Sequence, residues 1–163
     1  MSDLQPRIVI LIGAPASGKS TWCDKFLDGV DDEYVVVSSD NEIERLCTEE
    51  GITYSEGFDR FIGKATNIMK QSFSEAVNTN RNIIWDQTNL TIKKRRGILQ
   101  KLPDYYIREA VAFEVTLDDL NNRLSKREAE TGKHIPKHVV LSMCKNYTPP
   151  TVQEGFDKVT IIK

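Results

Sequence analysis

Eight consecutive residues, Gly13-Ala14-Pro15-Ala16-Ser17-Gly18-Lys19-Ser20, keep the spacing GxxxxGK[ST]. Each fixed position has a chemical reason. The glycines allow backbone N–H groups to close around phosphate oxygens, and Lys19 brings a point charge to the β- and γ-phosphates. The Ser20 hydroxyl is a magnesium ligand by type, and the helix that starts here points its positive dipole end at the same place. The motif follows an apolar run, Ile8–Ile12, and precedes a helical stretch, Lys19–Leu27, which is the strand–loop–helix context the chemistry requires. Gly13 to Ser20, with Thr21 behind them, are therefore the candidate nucleotide-binding residues, and ATP with Mg2+ is the expected ligand pair. A dinucleotide site would need GxGxxG, and Pro15 stands where its second glycine belongs.

Open parallel sheets bind ligands beyond the carboxyl ends of their strands, so the residues after each apolar run come next. Behind Tyr34–Ser38 stands Ser39-Asp40. Asp40 has two readings: a first-turn carboxylate that complements a helix dipole, or the group that orients an acceptor hydroxyl and takes its proton. A carboxylate is a feeble base toward an alcohol, but phosphoryl transfer tolerates this because its transition state is loose. Behind Asn82–Asp86 comes Gln87-Thr88-Asn89. Asp86 ends this run as a Walker-B aspartate would, placed to hold magnesium together with Ser20; otherwise the segment is a polar turn that caps the next helix through Thr88 or Thr91.

Two basic groups lie further along. Lys93-Lys94-Arg95-Arg96 reads as a solvated helix face or as a local patch for nucleic-acid phosphates. Arg123 and Arg127 are four apart and share a helix face, with Lys126 between them. Mobile cations over a γ-phosphate are what phosphoryl transfer needs, so the segment around 118–146 reads as a lid whose turn is Thr131–Pro136. Glu128 and Glu130 also fit an ordinary charged helix. His134 and His138 have the spacing of a metal pair but no cysteine or carboxylate pattern beside them.

These groups must be positioned by alternating strands and helices. Runs at Ile8–Ile12, Tyr34–Ser38, Asn82–Asp86, Ala110–Val115 and Val159–Ile162 predict five buried parallel strands. Between them, Ser39 with Glu42 suggests a capping box opening a helix through Glu50. A stripe from Phe58 to Val77 predicts a long helix, and Thr91–Leu102, Asp118–Glu130 and Pro136–Asn146 predict three more. The expected fold class is α/β: a P-loop NTPase or kinase-like parallel five-stranded sheet, helices on both faces and a helical lid, in one domain over residues 1–163.

Bulk properties narrow the partners. The chain has 163 residues, 39% hydrophobic and 28% charged, as in an ordinary globular domain. Its net charge of -2, from 22 basic and 24 acidic side chains, means that any nucleic-acid contact must come from a local patch. Cys23, Cys47 and Cys144 are odd in number and form no CxxC pair, which argues against a disulfide framework or a zinc site. The start, MSDLQPR, does not read as a signal sequence, and no apolar run reaches membrane-spanning length, so a cytoplasmic location is expected, the host's if a phage encodes the chain.

Together these segments resemble the kinase domain of phage polynucleotide kinase: the P-loop with Ser20-Thr21-Trp22, the Ser39-Asp40 corner, Thr88-Asn89-Leu90 with Arg95-Arg96, and Asn122–Met143. The resemblance implies a 5′-hydroxyl kinase of DNA or RNA, with Asp40 as general base, Lys19 on the phosphates, and Arg123 and Arg127 engaging the transferring group. That family also places an acceptor-binding arginine three residues after the base, where this sequence has Ile43; the nearest arginine is Arg45. No DxDGT-like phosphatase segment occurs. A second resemblance, through Asp86–Asn89, Gly132-Lys133, Pro136, His138, Leu141, Met143, Asn146 and Gly155-Phe156-Asp157, is to the P-loop domain of heterogeneous nuclear ribonucleoprotein U, which lacks the aspartate at position 40. The alternatives are thus a small-molecule kinase acting on a nucleoside, sugar or antibiotic hydroxyl, and a nucleotide-gated nucleic-acid-binding module.

Overall fold

The computed structural model describes residues 5–163; positions 1–4, part of the stretch read for a signal sequence, lie outside them. The elements run β1 (Arg7–Ile12), α1 (Lys19–Asp28), β2 (Tyr34–Val37), α2 (Ser39–Glu50), α3 (Tyr54–Asn78), β3 (Asn82–Asp86), α4 (Ile92–Leu99), β4 (Ile107–Phe113), α5 (Leu117–Thr131), α6 (Lys137–Asn146), a 3-10 turn (Val152–Glu154) and β5 (Lys158–Ile162). The strands form one parallel sheet in the order β2-β3-β1-β4-β5. This is the α/β, P-loop kinase-like fold expected from the alternation.

β1 shows why the sheet needs two helical layers. Successive strand side chains point to opposite faces. Ile8, Ile10 and Ile12 enter one core with Met69, Phe73 and Ala76 of α3 and Ile98 and Leu99 of α4. Val9 and Leu11 enter the other, against Cys23, Trp22 and Phe26 of α1. All five β1 residues are fully buried, so a polar substitution on either face would leave an unpaired group between packed layers. Two smaller clusters matter for the site. Ile43, Leu46 and Cys47 of α2 pack on Phe61 and Ala65 of α3. Ala14 of the P-loop packs with Leu120 and Leu124 of α5 and Val140 of α6, so the region read as a lid is rooted against the phosphate loop itself.

Several element boundaries differ from the sequence reading; β4, for one, ends at Phe113 rather than Val115. β4 starts at Ile107 rather than Ala110, because the charged Arg108 and Glu109 lie at the polar rim, where Glu109 pairs with Arg7 at 2.8 Å. α4 ends at Leu99 rather than Leu102. The capping box expected at Ser39 is absent: Ser38 is the N-cap, accepting from the Asn41 N–H, and Ser39 already lies inside α2. A capping box does form at Thr53 and Glu56, opening α3. Among the described residues, no helix is long and apolar enough to cross a membrane.

Candidate active site

β1 ends at Ile12, and the following loop turns through two left-handed residues, Ala16 (φ 66°) and Gly18 (φ 110°), before α1 begins. Gly18 suits its backbone, since a side chain there would be strained. Gly13 is held small for a different reason: a Cβ would lie 2.5 Å from Ser17 Oγ and 3.2 Å from Phe113 Cβ. Ser17 Oγ is buried in this loop without a hydrogen-bond partner. Lys19 spans the loop, donating to the carbonyls of Gly13 (2.6 Å) and Ala14 (3.1 Å). Burial pulls its pKa down to about 8, with the Asp86 and Asp40 carboxylates opposing. Ser20 and Thr21 are exposed on the first turn of α1. An orphaned hydroxyl, a cramped glycine and a desolvated lysine at a helix N-terminus together fit a bound polyphosphate.

The neighbouring strand delivers Asp86. β1 and β3 are adjacent, with Leu11 paired to Asp86, so P-loop and carboxylate leave the sheet side by side. Burial raises the Asp86 pKa, and the Lys19 charge opposes that rise. The loop behind it is strapped to the P-loop. Gly13 N–H donates to the Thr88 carbonyl at 2.9 Å, and buried Asn89, at φ 49°, donates from Nδ2 to the Leu11 carbonyl at 2.8 Å. Gln87 Nε2 donates to Ser39 Oγ at 2.6 Å, tying this loop to the start of α2. Thr91, not Thr88, caps α4, accepting from the Lys94 N–H. The segment is thus both a helix entry and the carrier of Asp86.

Asp40 stands in the first turn of α2, near enough to Lys19 and Asp86 for its charge to act on both. Its Oδ2 accepts from Lys133 Nζ at 3.3 Å. Lys133 also binds Glu44, one turn along α2, and lies over the Tyr54 ring, 4.4 Å from its centroid. Burial, followed by the hydrogen-bonding Asp40 carboxylate, pushes the Tyr54 phenol well up and keeps it protonated.

From α5, Arg123 Nη1 donates to the Ala16 carbonyl at 3.1 Å, touching the P-loop directly. Arg127, half-buried on the same face, is near enough to act on both Lys19 and Tyr54. It lines a cavity of about 390 Å³ together with Glu44, Thr48, Tyr54 and Lys133. Lys126 points outward. The turn after α5 is docked: Ser55 Oγ donates to the Gly132 carbonyl at 2.7 Å. The structure therefore brings Lys19, Asp40, Asp86, Arg123 and Arg127 to the carboxyl end of the sheet.

Other candidates fall elsewhere. Arg95 is no phosphate contact: it is wholly buried, gripping both Glu154 oxygens at 2.7 and 3.0 Å and donating to the Asn89 carbonyl at 3.0 Å. Lys93, Lys94 and Arg96 remain exposed. Ile43 is core, at 1% exposure, and Arg45 is bound outside by Glu42 and Glu49, so α2 presents neither an arginine at 43 nor a substitute. His134 finds a carboxylate, Glu128, at 2.7 Å, while His138 is exposed. Sequence reasoning had Lys133 only inside a Gly-Lys turn and gave no role to Tyr54 or Glu44. These three meet across 79 or more positions of chain separating Lys133 from the others, which no local periodicity reports.

Comparison with known proteins places the fold. Human heterogeneous nuclear ribonucleoprotein U-like protein 2 is 25% identical over 160 residues, covering 94% of this chain and 21% of that protein. L-seryl-tRNA(Sec) kinase of Methanococcus maripaludis is 25% identical over 153 residues, covering 92% of this chain and 56% of that one. The chain therefore spans about a fifth of the first relative and just over half of the second. Among solved structures, a chain of the Pnkp1/Rnl/Hen1 RNA repair complex superposes with a TM-score of 0.70 at 25% identity, over 89% of this chain and 45% of that chain. The family model described as AAA domain matches residues 8–150, and the protein belongs to that family, with the fold of its P-loop kinases.

Proposed function

We propose that this chain is an ATP-dependent 5′-hydroxyl polynucleotide kinase, working as one domain with a lid at about 118–146. The observation that carries the reading is the approach of Asp40 to Lys19 and Asp86, with Arg127 acting on the same lysine from α5. Lys19 holds the β- and γ-phosphates, and the backbone of Gly13–Thr21 wraps them. Ser20 and Asp86 would hold magnesium, which would supply charge neutralisation on the transferring group. Asp40 accepts a hydrogen bond from the acceptor hydroxyl and orients its oxygen toward the γ-phosphorus. As the new O–P bond forms and the β,γ-bridging bond breaks, Asp40 takes the proton and ADP leaves. Arg123 and Arg127 stabilise the equatorial oxygens from the lid side. A nucleic-acid 5′ end is the favoured acceptor, supported by the likeness to a chain of an RNA repair complex and by a relative that acts on a tRNA-borne group.

A second reading, a small-hydroxyl kinase, is favoured by buried Ile43, since α2 lacks the acceptor arginine that a polynucleotide kinase would carry there. The test is transfer of label from γ-labelled ATP with magnesium to 5′-hydroxyl DNA and RNA oligonucleotides, beside a small-acceptor panel. The expected result is label on an oligonucleotide, absent with Lys19→Ala, and absent with Asp40→Ala while ATP affinity is kept. Label only on a small acceptor would move the assignment. Unchanged turnover in Asp40→Ala would remove the base.

A further inference from the structure

We propose that Lys133 is a positioning residue for Asp40, and that it makes readiness of the base depend on docking of the turn between α5 and α6; this rests on the kinase reading above. Lys133 engages Oδ2 at 3.3 Å, and the Asp40 side chain, which also faces the Tyr54 phenol, still keeps 46% of its surface open to an incoming hydroxyl. Lys133 itself is only 11% exposed, confined between Asp40, Glu44 and the face of Tyr54. An ammonium shielded from solvent and placed between two half-exposed carboxylates bridges both through charge-assisted hydrogen bonds.

The arrangement also solves a problem within α2. Asp40 and Glu44 are four apart, so two like charges share one helix face. Without a cation between them they repel, and the Asp40 side chain, half in solvent, would swing away. The cation does not come from α2, where Ile43 is core and Arg45 is engaged by Glu42 and Glu49. It comes from the turn that follows Arg123 and Arg127 on α5, and this turn is fastened by Ser55 to Gly132. Arg127 and Lys133 also wall the same cavity. A docked turn therefore sets the phosphate-side arginines and the acceptor-side carboxylate together; an undocked turn releases both.

The test uses the full chain and 5′-hydroxyl oligonucleotide phosphorylation. Lys133→Met is expected to lower kcat about ten- to hundredfold, the scale of losing one charge-assisted hydrogen bond, while the KM for ATP stays unchanged. Lys133→Arg keeps the charge and retains most turnover. The discriminating variant is Glu44→Gln on the Lys133→Met background: removing the repulsion should recover part of the lost kcat, which a merely structural lysine would not allow. Full activity of Lys133→Met, or no recovery with Glu44→Gln, overturns the inference. Thermal unfolding of Asp40→Asn, Lys133→Met and the double variant gives a readout free of any acceptor. Additive losses overturn the Lys133 assignment even where the kinase reading stands. Coupled losses, with no label on any oligonucleotide, overturn the polynucleotide reading alone.

Discussion

Arg95 and Glu154 form a bidentate ion pair, with the guanidinium fully buried and the Glu154 side chain 6% exposed. The pair clamps the segment before β5 onto α4, and the third arginine contact holds the Asn89 carbonyl. A buried charge stripped of its partner is far more costly than a surface one. Arg95→Ala is expected to cost about 3–5 kcal/mol in urea unfolding, whereas Arg95→Met with Glu154→Leu should recover most of it.

Lys19 is expected to make nucleotide affinity sensitive to alkaline pH. Its pKa, about 8 in the folded chain against 10.5 ordinarily, means that burial disfavours the charged form. Below about 8 the lysine is protonated in both states, and the fold carries the full desolvation penalty. From about 8 to 10.5 the unfolded chain binds more protons than the folded one, so this group's contribution to stability improves as pH rises. ATP prefers the ammonium, so affinity should move the other way, weakening by up to about tenfold per pH unit above that point. Calorimetry in buffers of different ionisation enthalpy should find proton uptake on binding near pH 9; a flat affinity would contradict the lysine's role.

Restoring the missing acceptor arginine should fail. Ile43 lies in the α2–α3 core with Leu46, Cys47, Phe61 and Ala65. Ile43→Arg buries an unpaired charge and is expected to cost more than about 3 kcal/mol, with lower melting temperature and soluble yield, and no gain in acceptor affinity.

Asn89 links the Asp86 loop to the P-loop strand. Asn89→Ala removes the donor to the Leu11 carbonyl and places alanine at φ 49°. A loss of about 1–3 kcal/mol is expected, together with weaker ATP binding because Gly13 leans on the same loop. Asn89→Gly keeps the backbone freedom but not the hydrogen bond, so it should fall between alanine and wild type in equilibrium unfolding.

The sequence alone determined the phosphate loop, the parallel α/β class and the elements that carry Asp40, Asp86, Arg123 and Arg127. These signals are local: a motif within eight residues, apolar runs, and a four-residue spacing on one helix. Even the outer boundaries of β4 and α4 were within a few residues. Only the tertiary structure decided which charges gather at the candidate site and which hold the fold. Arg95 and Lys133 look alike in sequence, each a cation among polar neighbours, yet one is locked to Glu154 across 59 positions and the other reaches Asp40 across 93. Sheet order made that choice: setting β3 between β1 and β2 aligns Asp86 with the P-loop strand and brings the start of α2 to the same carboxyl end of the sheet. A side chain's role depends on what the fold places within about 4 Å of it, and such partners leave no period in the chain.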